Sequence, residues 1–351
     1  MLAGIIPGHL VESLAHQEWA LWLLAVAAMA VLMVGADRAV HAAAKLASAL
    51  GMSKVIIGAT IVSLGTTSPE ACVSVMAAWR GNAGLALGNG IGSIICDTAL
   101  IFGLCCLLKR LPLDRFLLNR QGRIQLGAGI LLAGLVYGSW WIVGMDLDRV
   151  FLGRWIGIVL LALLAAYLYV SIRWSRQHPQ IIPDEAKEEM RANHRKERVA
   201  GNLLMVTIGL GMVVVSSDVL IASATQICRN HSVPETVIAG TFVAFGTSLP
   251  ELVTALTALA KGHAELSIGN VIGADILNVL FVIGASAAAK PLAVDNATFY
   301  LMIPTMIVVL MLFRSYVFFG RNSFRRWQGI PMLAIYVAFV LLSVLMFGNG
   351  R

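Results

Sequence analysis

Residues 60–103 read TIVSLGTTSPEACVSVMAAWRGNAGLALGNGIGSIICDTALIFG, and residues 241–284 read TFVAFGTSLPELVTALTALAKGHAELSIGNVIGADILNVLFVIG. Offset by 181 residues, the two stretches share 16 identities in 44 positions without a gap. At the same offset Asp37 falls on Asp218. Apolar runs surround both copies, and they divide into five per half. Five is odd, so the second copy enters the membrane from the face opposite to the first. That is the inverted-topology repeat, in which substrate sites lie near the midplane between the halves.

Composition supports the membrane reading. Of 351 residues 58% are hydrophobic and 13% charged, against about 25% charged in an average soluble domain. Mean hydropathy is +0.82. A spanning helix needs about 20 mostly apolar residues, and such runs fall at about 19–47, 53–79, 83–108, 124–144, 150–172, 200–227, 233–260, 264–289, 298–317 and 329–347. Continuous apolarity argues against a β-barrel, whose strands alternate in polarity. The expected fold is therefore all-α and integral to the membrane, ten transmembrane helices forming two inverted five-helix repeats. The first repeat covers 1–172, with its signature block at about 58–103. A cytoplasmic loop follows at 173–199, containing SRQHPQIIPDEAKEEMRANHRKER at 175–198. The second repeat covers 200–351, with its block at about 239–284. Residues 1–18 hold no Lys or Arg, so no cleavable signal peptide is expected.

The net charge of +7 is explained by topology. With ten spans and an outside N-terminus, 20 of the 26 Lys and Arg fall on the cytoplasmic side. The positive-inside rule then places both termini outside a plasma or inner membrane, and no nucleic-acid partner is implied. Cys72, Cys96, Cys105, Cys106 and Cys228 lie in or at the ends of spans without zinc or disulfide spacing, and read as packing residues.

Each copy carries a proline and a glutamate inside an apolar run: GTTSPE at 65–70 and GTSLPE at 246–251. Pro69 and Pro250 lack a donor and clash with the preceding turn, which frees carbonyls around Ser63–Gly65 and Ala244–Gly246. Freed carbonyls at membrane depth need protein, ions or water to satisfy them. Hard cations take oxygen ligands of this kind, Ca²⁺ accepting about six to eight. Glu70 and Glu251 offer carboxylates, and Thr66, Thr67, Thr247 and Ser248 offer hydroxyls. Hydroxyls beside a proline often only back-bond to the freed carbonyls. An intramembrane glutamate, however, costs about 3 kcal/mol or more and is functional by default. Each hexapeptide thus reads as half of a cation cage.

GNGIGSIICD (88–97) and GNVIGADILN (269–278) form a facing wall. Gly88, Gly92, Gly269 and Gly273 give a small-residue face for close helix approach. Asp97 lies four residues beyond Ser93, on the same helical face; the counterparts are Asn278 and Ala274.

The paired blocks resemble the two alpha repeats of the calcium/cation antiporter superfamily. GTSLPE followed by GNVIG is similar to the sodium/calcium exchanger branch of bacterial type. The resemblance covers about a quarter of the chain directly and, through the matching span count, nearly all of it. It implies ion-ligating roles for Ser93, Asp97 and Asn278. It also marks departures from the family's usual GSN: Ile94 replaces the asparagine in the first copy, and Ala274–Asp275 replaces Ser–Asn in the second. Ser68 stands where the family usually has leucine. Asp275 reads either as an extra ligand or as a helix–helix hydrogen-bonding group.

The expected function is antiport of Na⁺ against Ca²⁺ by alternating access, both ions sharing Glu70, Glu251 and Asp97. Loading one cation ejects the other, while an empty site leaves bare charge in the bilayer and blocks leak. The first and sixth spans, which slide over the core in this family, are the expected moving group. Asp37 and Asp218 on these spans read as snorkelling or helix-pairing carboxylates, or as gating groups. The rival within transport is H⁺/Ca²⁺ or other divalent-cation antiport, which the acids Asp97 and Asp275 would suit. An intramembrane aspartyl or zinc hydrolase is disfavoured, since no HExxH occurs. Ca²⁺, Na⁺ and the bilayer are the expected partners; no cofactor, enzymatic activity or obligate oligomer is expected.

Overall fold

A computed structural model describes residues 17–50, 52–112, 115–177, 195–230, 248–320 and 323–347. Half of the expected seventh span, Ala244, Thr247 and most of the 173–199 loop lie outside them, as do the side chains of Asp218 and Cys228.

The described elements run α1 (Glu18–Leu50), α2 (Lys54–Thr66), α3 (Ser68–Trp79), α4 (Ala83–Leu108), β1 (Leu111–Pro112), α5 (Arg115–Ile142), β2 (Phe151–Leu152), α6 (Arg154–Gln177), α7 (Arg195–Asn230), α8 (Leu249–Ala260), α9 (Ala264–Ala289), β3 (Leu292–Ala293), α10 (Thr298–Phe319), β4 (Ser323–Phe324) and α11 (Gly329–Phe347). Among the described residues eight helices are long and apolar enough to cross a membrane. The bent pair α2–α3 makes a ninth, and α8 is a shorter apolar helix. The fold is thus all-helical apart from two small strand pairs. Trp19, Trp79, Trp141 and Trp155 stand exposed at helix ends, as aromatic residues do at a membrane interface.

The helices sort into a centre and a periphery. α4 and α9, which carry the GNGIG and GNVIG motifs, are the most enclosed spans. Their apolar side chains belong to the main core: Ile91, Ile94, Ile95 and Phe102 from α4, Val271, Ile272, Ile276 and Val279 from α9. α9 crosses α2 at backbone contact. A methyl built on Gly273 would lie 2.4 Å from both Cα of Ala59 and Oγ of Ser63, and one on Gly269 2.2 Å from the carbonyl oxygen of Val55. The close-approach reading therefore holds for the second copy. Gly88 and Gly92 instead face only the flexible side chain of Met302, at 4.0 and 3.5 Å.

α1 and α7 form a separate pair that lies along the core more than it enters it. Gly35 and Gly209 bring the two backbones together, a methyl on Gly209 meeting the nitrogen of Ala39 at 2.6 Å. A second, smaller apolar cluster joins this pair to α2, α8 and α9 through Ala39, Val40, Ala43 and Leu46 with Ile57, Val62, Val206, Leu210, Ala258 and Leu266. One ion pair also bridges the two groups, Lys261 Nζ to Asp37 Oδ1 at 2.6 Å. Asp37 is thus a helix-pairing carboxylate, partnered across the interface and not by neighbouring Arg38.

The strand pairs interlock the two halves of the chain. β1 pairs antiparallel with β4, and β2 with β3. β1 and β3 are equivalent at the 181-residue offset, so each half lends one strand to the other in reciprocal fashion.

Candidate functional site

The chain bends by 46° between α2 and α3, and Thr67 at the break accepts helical geometry without a side-chain cap bond. The bend frees fewer carbonyls than the sequence suggests. Thr67 N–H donates to the Ser63 carbonyl at 2.8 Å, and Ser68 Oγ returns to that of Leu64 at 2.5 Å. Thr66 Oγ1 also back-bonds, to Val62 and Ser63 carbonyls at 3.3 Å each. Ser68 therefore does what hydroxyls beside a proline commonly do, while Thr66 both back-bonds and lies within reach of the Glu251 carboxylate. Thr67 Oγ1 donates across the repeat boundary to Glu251 Oε1 at 3.2 Å.

Glu251 stands in the first turn of α8, fully buried, with Ser248 as the capping residue. Ser248 Oγ donates to Ser93 Oγ on α4 at 3.3 Å. Four residues along the same helix, Asp97 Oδ2 accepts from Asn278 Nδ2 of α9 at 3.5 Å. Glu70, Asp97, Glu251 and Asn278 are wholly inaccessible, as are Ser63, Thr66 and Thr67. Glu70 lies near enough to interact with the charges of Glu251 and Asp97, and Asp97 with those of Glu251 and Asp275. Five helices thus bring one set of oxygens together.

Much of that set is unpaired. Both carboxylate oxygens of Glu70, Oδ1 of Asp97, Oε2 of Glu251, Oδ1 of Asn278 and Oγ of Ser63 have no hydrogen-bond partner although buried. Unpaired buried acceptors cost about 1–3 kcal/mol each, more when charged, so this arrangement calls for cations. Among the described residues no three His, Cys, Asp or Glu side chains form a ready-made metal cluster. Hydroxyl, amide and backbone oxygens therefore have to complete any coordination shell, which suits a hard ion and not zinc.

The chain matches the model of the sodium/calcium exchanger protein family over residues 20–173 and again over 201–345. This chain belongs to that family. It is 30% identical to the membrane protein MJ0091 of Methanocaldococcus jannaschii, over 88% of this chain and 92% of that one. It is 26% identical to the sodium/calcium exchanger MaX1 of Methanosarcina acetivorans, over 92% and 97%. Among solved structures it resembles the sodium-calcium exchanger NCX_Mj soaked with Na⁺ and Sr²⁺, with TM-score 0.76, 26% identity and coverage of 93% and 99%.

In this family member Asp275 stands within a hydrogen-bond network that crosses helices. Its Oδ2 accepts from Thr98 Oγ1 on α4 and from Gln125 Nε2 on α5, and Gln125 also reaches Thr98 Oγ1 at 3.4 Å. Through Oδ2, Asp275 ties α9 to two neighbouring helices. Its Oδ1 is left without a partner.

Three features of the site were not read from the sequence. Asn89 Nδ2 donates to the Glu70 carbonyl at 3.4 Å and to Ser74 Oγ at 2.9 Å, steadying the helix that presents Glu70. Its repeat mate Asn270 is buried with neither amide atom paired, because Ala255 stands where Ser74 does in the first copy. Thr98 and Gln125 were likewise missed. Finally, α4 and α9 each widen into a π-helical segment at the site, Cys96–Ile101 and Asn278–Ile283. Such bulges gather at functional sites because they turn side chains off the regular helical register. Their recurrence at near-equivalent places is a signal that only backbone geometry carries.

Proposed function

We propose that this chain is a Na⁺/Ca²⁺ antiporter working by alternating access in a frame of ten spans, two inverted five-helix repeats divided at about 172 and 200. One observation carries the reading most: Glu70 and Glu251, from opposite copies, are both fully buried and close enough for their charges to interact, with three of their four carboxylate oxygens open. The ion-binding set comprises Glu70, Glu251, Asp97 and Asn278 with Ser63, Thr66, Thr67, Ser93 and Ser248; Ala244 and Thr247 complete it by repeat symmetry. Asp275 acts beside this set as a clamp.

Mutual exclusion provides coupling. An empty site holds several buried carboxylates, whose desolvation makes crossing between facing states costly. Either one Ca²⁺ or several Na⁺ neutralises it. The α1–α7 pair, joined to the core by a small cluster and the Lys261–Asp37 ion pair, is the group that slides. The reciprocal strand pairs hold the remaining helices as one body. The protein sits in a plasma or inner membrane with both termini outside, and works without a cofactor.

Calcium flux into proteoliposomes under imposed Na⁺ or H⁺ gradients tests this. Na⁺-driven Ca²⁺ uptake is expected in wild type and lost in Glu70→Gln and Glu251→Gln. Retention of uptake in both variants overturns the site. Uptake that follows the proton gradient alone assigns H⁺/Ca²⁺ antiport instead, the reading that Asp97 favours.

A further inference from the structure

Away from the ion site, α5 and α6 border an open cavity of about 380 Å³ lined by Arg120, Arg123, Ile124 and Trp174. Its depth in the membrane follows from the helices. Leu118 begins the apolar stretch of α5 and Trp174 ends that of α6, so the cavity lies where hydrocarbon meets headgroups. The two helices are tied at this level by Gln121 Nε2 donating to Ser171 Oγ at 3.2 Å.

Arg120 is held in place with one face unused. Its guanidinium lies 3.9 Å from the Phe116 ring centre and 5.1 Å from that of Trp174, stacked between aromatic rings. Nη1 of Arg120 is buried yet has no hydrogen-bond partner. Such a donor costs free energy unless a ligand meets it. Arg123 is exposed beside it and is oriented by donating Nε–H to the Asn119 carbonyl at 3.0 Å. Arg314 reaches the same residue, Nη1 to Asn119 Oδ1 at 2.8 Å, and repels Arg123. Among the described residues no carboxylate pairs with any of the three. Two guanidinium groups line the open cavity, one with a buried idle donor, and Arg314 adds a third positive charge close to Arg123; together they form a site suited to an anion.

We infer that this cavity binds the headgroup phosphate of an anionic phospholipid. The planar donors of arginine suit phosphate oxygens better than any other abundant interfacial group. Ile124 and the faces of Trp174 and Phe116 provide the apolar wall against which the glycerol and upper acyl chain lie. Basic pockets between helices at a membrane surface recognise headgroups in this way. By fixing α5 against α6 the lipid braces the helix that carries Gln125, and thus the Asp275 clamp.

The test uses the full-length protein, delipidated in a zwitterionic detergent. Native mass spectrometry and thermal melting are followed during titration with short-chain phosphatidylglycerol, phosphatidylcholine of the same chains, or inorganic phosphate. Phosphatidylglycerol is expected to stay bound and raise the melting temperature, while phosphatidylcholine and free phosphate do neither. With each arginine worth about fivefold in affinity, Arg120→Gln and Arg123→Gln together should weaken phosphatidylglycerol about thirtyfold. Arg120→Lys, which keeps the charge but loses the planar fork, should fall between. A double variant that melts like wild type without lipid yet retains phosphatidylglycerol equally refutes the site. Equal protection by inorganic phosphate, or by phosphatidylcholine, also refutes it. If the double variant melts lower without lipid, Arg120→Lys decides alone: unchanged phosphatidylglycerol affinity there overturns the assignment.

Discussion

Moving one carboxylate from α4 to α9 tests whether the site counts charges or fixed positions. Asp97 and Asn278 are repeat mates, both fully buried, and Asn278 Nδ2 donates to Asp97 Oδ2 at 3.5 Å. Asp97→Asn removes one of three carboxylates that Ca²⁺ would share. Removing one partner of a buried charge pair costs about 3 kcal/mol or more, so Ca²⁺ affinity should fall about 150-fold. Asn278→Asp alone sets a fourth carboxylate against Asp97. At 3.5 Å and an effective dielectric near 20 the repulsion is about 5 kcal/mol, so the empty protein should melt lower and gain more from added Ca²⁺. The double variant restores the original charge count with its carboxylate displaced to the facing helix. Its affinity should return to within about tenfold of wild type, the remaining loss reflecting geometry. Calcium-dependent thermal melting reads binding, and Na⁺-driven Ca²⁺ uptake reads transport. The reasoning fails if Asp97→Asn binds Ca²⁺ within twofold of wild type. It fails equally if the double variant is as impaired as Asp97→Asn while melting normally.

Asp275 should behave differently from Asp97. Asp275→Asn keeps an oxygen for Thr98 and Gln125, and is expected to bind Ca²⁺ within about threefold of wild type, since a neutral substitute retains the bonds and loses only their charge assistance. Asp275→Leu strands both donors and should lower stability by about 1–3 kcal/mol in thermal melts; an Asp275→Asn protein as impaired in Ca²⁺ binding as Asp97→Asn would make Asp275 a ligand after all. A pH effect is expected at the turn before α9. Lys54 Nζ lies 3.2 Å from His263 Nδ1, and an ammonium only donates, so the imidazole is neutral with its proton on Nε2. Burial, then the charges of Lys54, His41 and Lys261, hold this imidazole below the ordinary 6.5, with Asp37 nearby already engaged by Lys261. The unfolded chain therefore takes up a proton at higher pH than the folded one does. Stability should rise with pH through the window ending near 6.5 and fall as pH drops below it. His263→Gln should flatten the melting profile there, and a wild-type profile already flat across that window would remove His263 from the account.

How much of this was open to inspection in the sequence depends on whether a feature repeats. The hexapeptides repeat, and the glutamates they carry do converge, because two copies of an ionisable residue in apolar runs have few other places to go. Thr67 and Ser248 were equally legible, being offset by the same 181 residues and meeting Glu251 and Ser93. Ser68 shows the limit. A hydroxyl next to a proline reads alike whether it faces a pocket or bonds back to its own helix, and the backbone bend decides between these. The π-helical segments were invisible, because they change the angular register without changing composition.

Asp275 teaches the opposite lesson, since its signal lies in the failure to repeat. At the 181-residue offset, Asp275, Thr98 and Gln125 correspond to Ile94, Val279 and Met306. The trio crosses the repeat boundary, Thr98 and Gln125 coming from the first half and Asp275 from the second, and its symmetry-related set is apolar and buried throughout. The charged and amide positions at the centre of the site keep side-chain oxygen in both copies, at 70 and 251 and at 97 and 278, although the hydroxyl of Ser93 has only Ala274 as its mate. A polar trio that forms only once ties together the helices that carry it, here α4 and α5 of the first half with α9 of the second. The substitutions are also mutually dependent: Asp275 without Thr98 and Gln125 would be an uncompensated buried charge, and those donors without Asp275 would go unmet. Three positions scattered through the sequence, each unremarkable, share a single departure from symmetry. That shared departure marks Asp275 as part of a hydrogen-bond network between helices, and the Ca²⁺ affinity of Asp275→Asn decides whether the carboxylate also ligates the ion.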